Sequence, residues 1–98
     1  MKVELSDQVL AFVRAQAPEA RRNLRLALRN LSLEKGDVRT LEGPLKGYCR
    51  LRVGAFRIIF ARTVKPGGGV RAQCIYADRR GVVYTVFGEM LRTRVLGD

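Results

Sequence analysis

Leu41–Arg62, LEGPLKGYCRLRVGAFRIIFAR, alternates apolar and polar residues on either side of a Gly-Ala pair, the pattern of a β-hairpin. Val53-Gly54-Ala55-Phe56 suits a two-residue loop with glycine at its first central position, as a type II′ turn requires. That register sets Val53 opposite Phe56, Leu51 opposite Ile58 and Cys49 opposite Phe60 on one face. The other face pairs Arg52 with Arg57, Arg50 with Ile59 and Tyr48 with Ala61. The first face is apolar. The second gathers Tyr48, Arg50, Arg52 and Arg57. Like charges directly opposite each other destabilise a sheet, so three guanidiniums here point to a polyanion as partner. The expectation is an arginine face open to solvent, as an antiparallel sheet allows.

The rest of the chain agrees in sign. Its 98 residues make a single expected domain, 1–98, with 19 basic and 9 acidic side chains and a net charge of +10. Such a balance favours nucleic acid or an acidic protein as partner. Fifteen of the cations are arginine, whose planar fork grips phosphate and stacks on bases, whereas lysine acts as a point charge. No apolar run is long enough to span a membrane, so no membrane partner is expected. The opening MKVELS lacks a signal-peptide core. Cys49 and Cys74 each fall within apolar strand patterns and read as buried, reduced thiols, in keeping with a cytoplasmic protein. Two cysteines and no histidine offer no zinc site, and no cofactor is expected.

Working outward from the hairpin, Lys2–Leu5 reads as a short strand and Ser6 as a helix N-cap with Asp7 in the first turn. Leu5, Val9, Phe12 and Val13 keep helical spacing up to about Ala17. Pro18 then opens a second helix with Leu24, Ala27, Leu28 and Leu31 on one stripe and Gly36 as its stop. Arg22, Arg25 and Arg29 line another stripe of that helix, either a solvated face or a surface for RNA or an acidic partner. Gly36–Pro44 reads as a loop. After the hairpin, the glycines at 67–69 form a flexible tip, Val70–Ala77 a long strand, and Asp78-Arg79-Arg80-Gly81 a basic turn. Val82–Val86 reads as a last strand and Phe87–Leu96 as a short terminal helix packed by Phe87, Met90, Leu91 and Val95. The expected fold is α+β: two N-terminal helices on one face of a mainly antiparallel sheet of four strands, or five, closed by a short C-terminal helix.

The segment GPLKGYCRLRVGAFRIIF, the helix pair before it, and the hydrophobic strand, basic turn and Val82-Val83-Tyr84 after it resemble the RelE/ParE superfamily of bacterial toxins, over nearly the whole chain. The RelE branch, which cuts mRNA in the ribosomal A site, is the nearer of the two. The resemblance implies the toxin of a type II toxin–antitoxin pair, with mRNA and ribosomal RNA as targets and an acidic antitoxin as partner. Carried over, the spaced basic pair of the first hairpin strand falls on Arg50 and Arg52. The second-strand cation falls on Arg57, the basic turn offers Arg79 or Arg80, and the tyrosine is Tyr84. Lys46, Tyr48, Arg79 and the Arg22, Arg25, Arg29 stripe would hold RNA. The implied chemistry is attack of a ribose 2′-hydroxyl on its adjacent phosphate, with guanidiniums stabilising the added charge.

Two departures bear on that reading. RelE itself has lysines where this chain has Arg50 and Arg52, and arginine does not act as a base. No histidine serves for proton transfer. Glu42 is a candidate base in a loop, and Tyr84 reads equally as a half-buried strand aromatic. The alternatives are a ParE-type inhibitor of DNA gyrase, and a relative that grips RNA without chemistry.

Overall fold

The computed structural model describes residues 1–97, with side-chain surroundings for 1–93. Five strands, β1 (Lys2–Leu5), β2 (Asp37–Thr40), β3 (Cys49–Val53), β4 (Phe56–Val64) and β5 (Val70–Arg79), form one sheet in the order β1-β5-β4-β3-β2. β1 runs parallel to β5 and every other pair is antiparallel. Helices α1 (Asp7–Ala15) and α2 (Pro18–Ser32) follow β1, and α3 (Val83–Gly97) follows β5. The α+β class and the five-strand count match the sequence expectation.

The hairpin that anchored the reading forms in the expected register, Val53 to Phe56, Leu51 to Ile58 and Cys49 to Phe60. Gly54 has φ +57° and Ala55 does not share that sign, the combination a type II′ turn needs. The apolar side of the hairpin then meets α1 and α2. Val9, Val13, Leu24, Leu28 and Leu31 bury against Cys49, Leu51, Ile58, Phe60, Ala72, Cys74 and Ala77. Both thiols are free and buried, as expected.

The junction of β1 and α1 uses two side chains in place of backbone. Ser6 caps α1 by accepting from the Val9 N–H at 3.2 Å while its hydroxyl donates to the Ile75 carbonyl at 2.8 Å. The Gln8 amide both donates to the Ala77 carbonyl and accepts from the Ala77 N–H, at 2.8 Å each. β5 therefore keeps its hydrogen bonds after the chain has left the sheet for the helix.

Opposite Ile59 and Phe60, β5 takes one extra residue, Ile75, as a bulge between Tyr76 and Cys74. The bulge turns Ile75 and Tyr76 toward the side of the sheet opposite α1 and α2. There Ile59, Tyr76, Val83 and Phe87 form a second, smaller core, with Leu41, Leu45, Tyr48, Ile75, Tyr84, Val86 and Leu91 around it.

Several expectations are corrected. Gly36–Pro44 is not a plain loop: Asp37–Thr40 pairs with β3 as an edge strand, with Val38 opposite Leu51 and packed on the larger core. Its Gly, Asp and Pro neighbours read as turn residues, but the open edge of β3 supplies a partner that local chemistry cannot reveal. Val82–Val86 is not a strand, because the helix begins at Val83. β-branched composition favours a strand, yet β5 is already paired on both edges, by β1 and β4. Val83, Phe87 and Leu91 keep helical spacing and cover the second core instead. The terminal helix is thus longer than expected. Met90 stays exposed rather than packing, and Val95 lies beyond the residues whose side-chain surroundings are described. Finally, the arginine face is not open to solvent: α3 covers part of it, and Arg50 and Arg57 are 8% and 6% exposed.

Candidate functional site

Register decides which groups meet on the α3 side of the sheet. At the turn end of the hairpin, Asp37 of β2 stands opposite Arg52 of β3, Arg52 opposite Arg57 of β4, and Arg57 opposite Asp78 of β5. The row runs acid, arginine, arginine, acid across four strands. The like-charged pair that suggested an external polyanion is therefore flanked by two carboxylates of the chain itself. The next row inward, Arg39, Arg50, Ile59 and Tyr76, turns from charged to apolar as it passes toward α3.

The arginines of these rows have unequal freedom. Arg50 Nη1 donates to the Asp37 carbonyl at 2.9 Å and to Asp37 Oδ1 at 3.0 Å. It clips the edge strand to its neighbour, and it holds the Asp37 carboxyl below the ordinary carboxylate range, chiefly through that hydrogen bond. Arg57 Nη1 donates to the carbonyls of Gly54 and Phe56, at 2.8 Å each, and so braces the turn. Arg52 is the free member. Its side chain is 53% exposed and its Nη1 lies 3.9 Å from Asp37 Oδ2.

Asp78 is tightly placed. Its Oδ2 accepts from the Tyr76 hydroxyl and its Oδ1 from the Arg79 N–H, both at 2.7 Å. Burial, and then the Asp78 carboxylate, push the Tyr76 phenol up to about 12, so it remains a donor. The chain next turns across the hairpin tip, where the Arg80 N–H donates to the Ala55 carbonyl at 2.9 Å. Arg79 and Arg80 both project into solvent. Arg52, Arg57 and Asp78 thus share the α3 side at the turn end of the sheet, with Arg80 in the turn beyond, while Arg79, in register with Phe56, falls on the α1/α2 side of the same end.

The remaining expected residues lie elsewhere. Tyr84 sits in the first turn of α3, half-buried against the second core, and not near the end of a strand. Tyr48 packs edge-on against Phe87, with ring centroids 5.0 Å apart. Lys46 follows the single 3₁₀ turn Gly43–Leu45 and is exposed. With Glu42, Tyr48 and Arg62 it lines an open cleft at the opposite end of β3, so Glu42 is remote from the arginine row. Arg22, Arg25 and Arg29 are exposed on α2, in the helical layer on the other side of the sheet, and form a separate surface. Asp37, Asp78 and Tyr76 went unread in the sequence. Ending the last long strand at Ala77 put Asp78 in a turn, whereas one more alternation sets it in phase with Tyr76 and opposite Arg57.

No protein-family model matches the chain, and neither does any curated protein sequence. Among solved structures the chain resembles a YoeB/ParE toxin from Agrobacterium tumefaciens, with a TM-score of 0.65 and 17% identity over 82% of this chain and 99% of that one. It also resembles the RelB–RelE antitoxin–toxin complex from Methanococcus jannaschii, with a TM-score of 0.58 and 17% identity over 86% of this chain and 98% of that one. The chain shares its fold with these two toxins.

Proposed function

We propose that the chain is the toxin of a toxin–antitoxin pair and that it acts in the cytoplasm as a ribosome-dependent mRNA endonuclease. The observation that carries this reading is the meeting of Arg52, Arg57 and Asp78 on the α3 side of the sheet's turn end, with the exposed Arg80 in the turn beside them. The exposed cations Arg52 and Arg80 are suited to hold an RNA phosphate and stabilise the charge it gains in a pentavalent intermediate, and Arg79 to hold backbone on the other side of the same sheet end. Arg57 braces the Gly54-Ala55 hairpin turn that follows Arg52. Arg50 is assigned to structure, since its guanidinium is buried on Asp37. The fold shared with a RelB–RelE complex supports an antitoxin as partner, and the chain's net charge of +10 calls for an acidic one.

A second reading, inhibition of DNA gyrase by a ParE-like toxin, is favoured by one observation. Arg50 and Arg57, two of the carried-over cations, are committed to internal hydrogen bonds. Primer extension on a reporter mRNA in a translating extract separates the two. The endonuclease reading expects cuts within ribosome-occupied codons, lost with Arg52→Ala and absent without ribosomes. An intact message together with stalled DNA supercoiling in a gyrase assay assigns the chain to the second reading.

A further inference from the structure

Cleavage by a 2′-hydroxyl needs a group to take its proton, and the arginine cluster has none. We propose that Asp78 is that group, the general base of the reaction. The assignment rests on the endonuclease reading and adds to it the proton acceptor.

Asp78 is opposite Arg57, which is opposite Arg52, and it directly precedes Arg79 and Arg80, so its carboxylate belongs to the end of the sheet that holds Arg52, Arg57 and Arg80. It differs from the other carboxylate of the row. Asp37 forms ion pairs with Arg50 at 3.0 Å and Arg52 at 3.9 Å. Asp78 has no ion pair within 4.0 Å among the described residues and is oriented by neutral donors, the Tyr76 hydroxyl and the Arg79 N–H. Each carboxylate oxygen accepts one hydrogen bond from these donors and has a lone pair left to accept another. The two donors fix the carboxyl plane, as a base positioned for proton transfer requires. The titratable and charged groups nearest it in the fold are Tyr76 and Arg79 on its own strand, Arg57 on β4, Arg80 in the turn, and Tyr84 in the first turn of α3, which shares the small core with Tyr76.

In the step assigned to Asp78, the 2′-hydroxyl proton passes to a carboxylate oxygen as the 2′-oxygen bonds to phosphorus. The bond from phosphorus to the 5′-oxygen then breaks, and that oxygen leaves with a proton from solvent. The products are a 2′,3′-cyclic phosphate and a free 5′-hydroxyl. Asp78 returns its proton to water, so no external reactant is consumed. Tyr76 acts as a positioning residue through its hydrogen bond to the carboxylate.

The test uses the full chain on ribosome complexes with a defined mRNA in the A site, comparing wild type, Asp78→Asn and Asp78→Glu. Loss of a general base is expected to slow single-turnover cleavage by about 10²–10⁴-fold in Asp78→Asn, with ribosome binding unchanged. A general base at Asp78 predicts a wild-type rate that rises with pH on the acid side, a rise that should vanish in Asp78→Asn and persist in Asp78→Glu, an outcome that a merely structural role would not produce. An mRNA with sulfur in place of the leaving 5′-oxygen should leave the Asp78→Asn defect in place, because a better leaving group replaces an acid and not a base. Rescue by that substrate, or cleavage by Asp78→Asn at the wild-type rate, overturns the assignment while leaving the endonuclease reading standing. Failure of the wild type to cut overturns both.

Discussion

The two sides of the sheet were built by different rules. Against α1 and α2 the sheet presents one apolar surface of Cys49, Leu51, Ile58, Phe60, Ala72, Cys74 and Ala77, closed by aliphatic side chains from both helices. Against α3 it presents a graded surface. Ile59 and Tyr76 form a small aromatic core with Phe87, and one row toward the hairpin turn the same side becomes Asp37, Arg52, Arg57 and Asp78. The first side is held by apolar area removed from water, a non-directional force that needs only apolar groups on the right face. The second depends on register, since a slip of one residue would move its charges into the main core. Stability thus resides mainly on the α1/α2 side and the candidate site on the α3 side.

The sharpest way to break this division is to truncate one phenylalanine on each side. Phe60 is fully buried in the larger core, and Phe60→Ala should cost about 3–5 kcal/mol and lower the melting of the whole chain. Phe87 is 1% exposed in the smaller core, and Phe87→Ala should act more locally. Hydrogen exchange is expected to speed up in α3 while α1 and the hairpin stay protected. Equal global destabilisation by both variants would mean that the two sides unfold as one unit.

A smaller effect separates the arginines within the row. Arg50→Ala removes two hydrogen bonds from a charged, 8% exposed side chain and loosens the edge strand, for a loss of about 2 kcal/mol by chemical denaturation. Arg52→Ala removes a half-exposed cation 3.9 Å from its partner, and should change stability by less than about 1 kcal/mol. The order of effect on RNA cleavage should be the reverse. If Arg52→Ala is the more destabilising of the two, the division between structural and reactive guanidiniums is wrong.

The last expected effect appears only at alkaline pH, and it touches both sides. Burial raises the Cys74 thiol from 9.0 to about 12, and burial with Asp78 raises the Tyr76 phenol from 10.0 to about 12. Both folded-state values exceed the unfolded ones, so their contribution is complete below the unfolded values and is lost as pH rises toward about 12. Melting temperature should therefore fall on the alkaline side. Tyr76→Phe should flatten the part of the fall above pH 10, and Cys74→Ala the part that begins near pH 9. An unchanged slope in Tyr76→Phe would remove the hydrogen-bonded phenol from the account.

Much of this was legible along the chain. The alternation of Cys49–Val53 with Phe56–Phe60 about a Gly-Ala turn dictates a hairpin, its register and its apolar side, because pleat and turn geometry are local. Helical spacing marks α1 and α2, and Ser6 and Pro18 mark their starts, for the same reason. The like-charged pair Arg52 and Arg57 was also visible, but its meaning was not. Whether that pair faces solvent, an anion or the chain's own carboxylates depends on Asp37 and Asp78, which are distant in sequence and brought in by β2 and β5. The identity of Val83–Tyr84 as helix rather than strand depends on β5 having both edges occupied. Local pattern alone determined the elements of the hairpin and the first two helices. Tertiary structure alone decided which charges meet, because strand order and pairing are set by the burial of the whole sheet and not by any one segment.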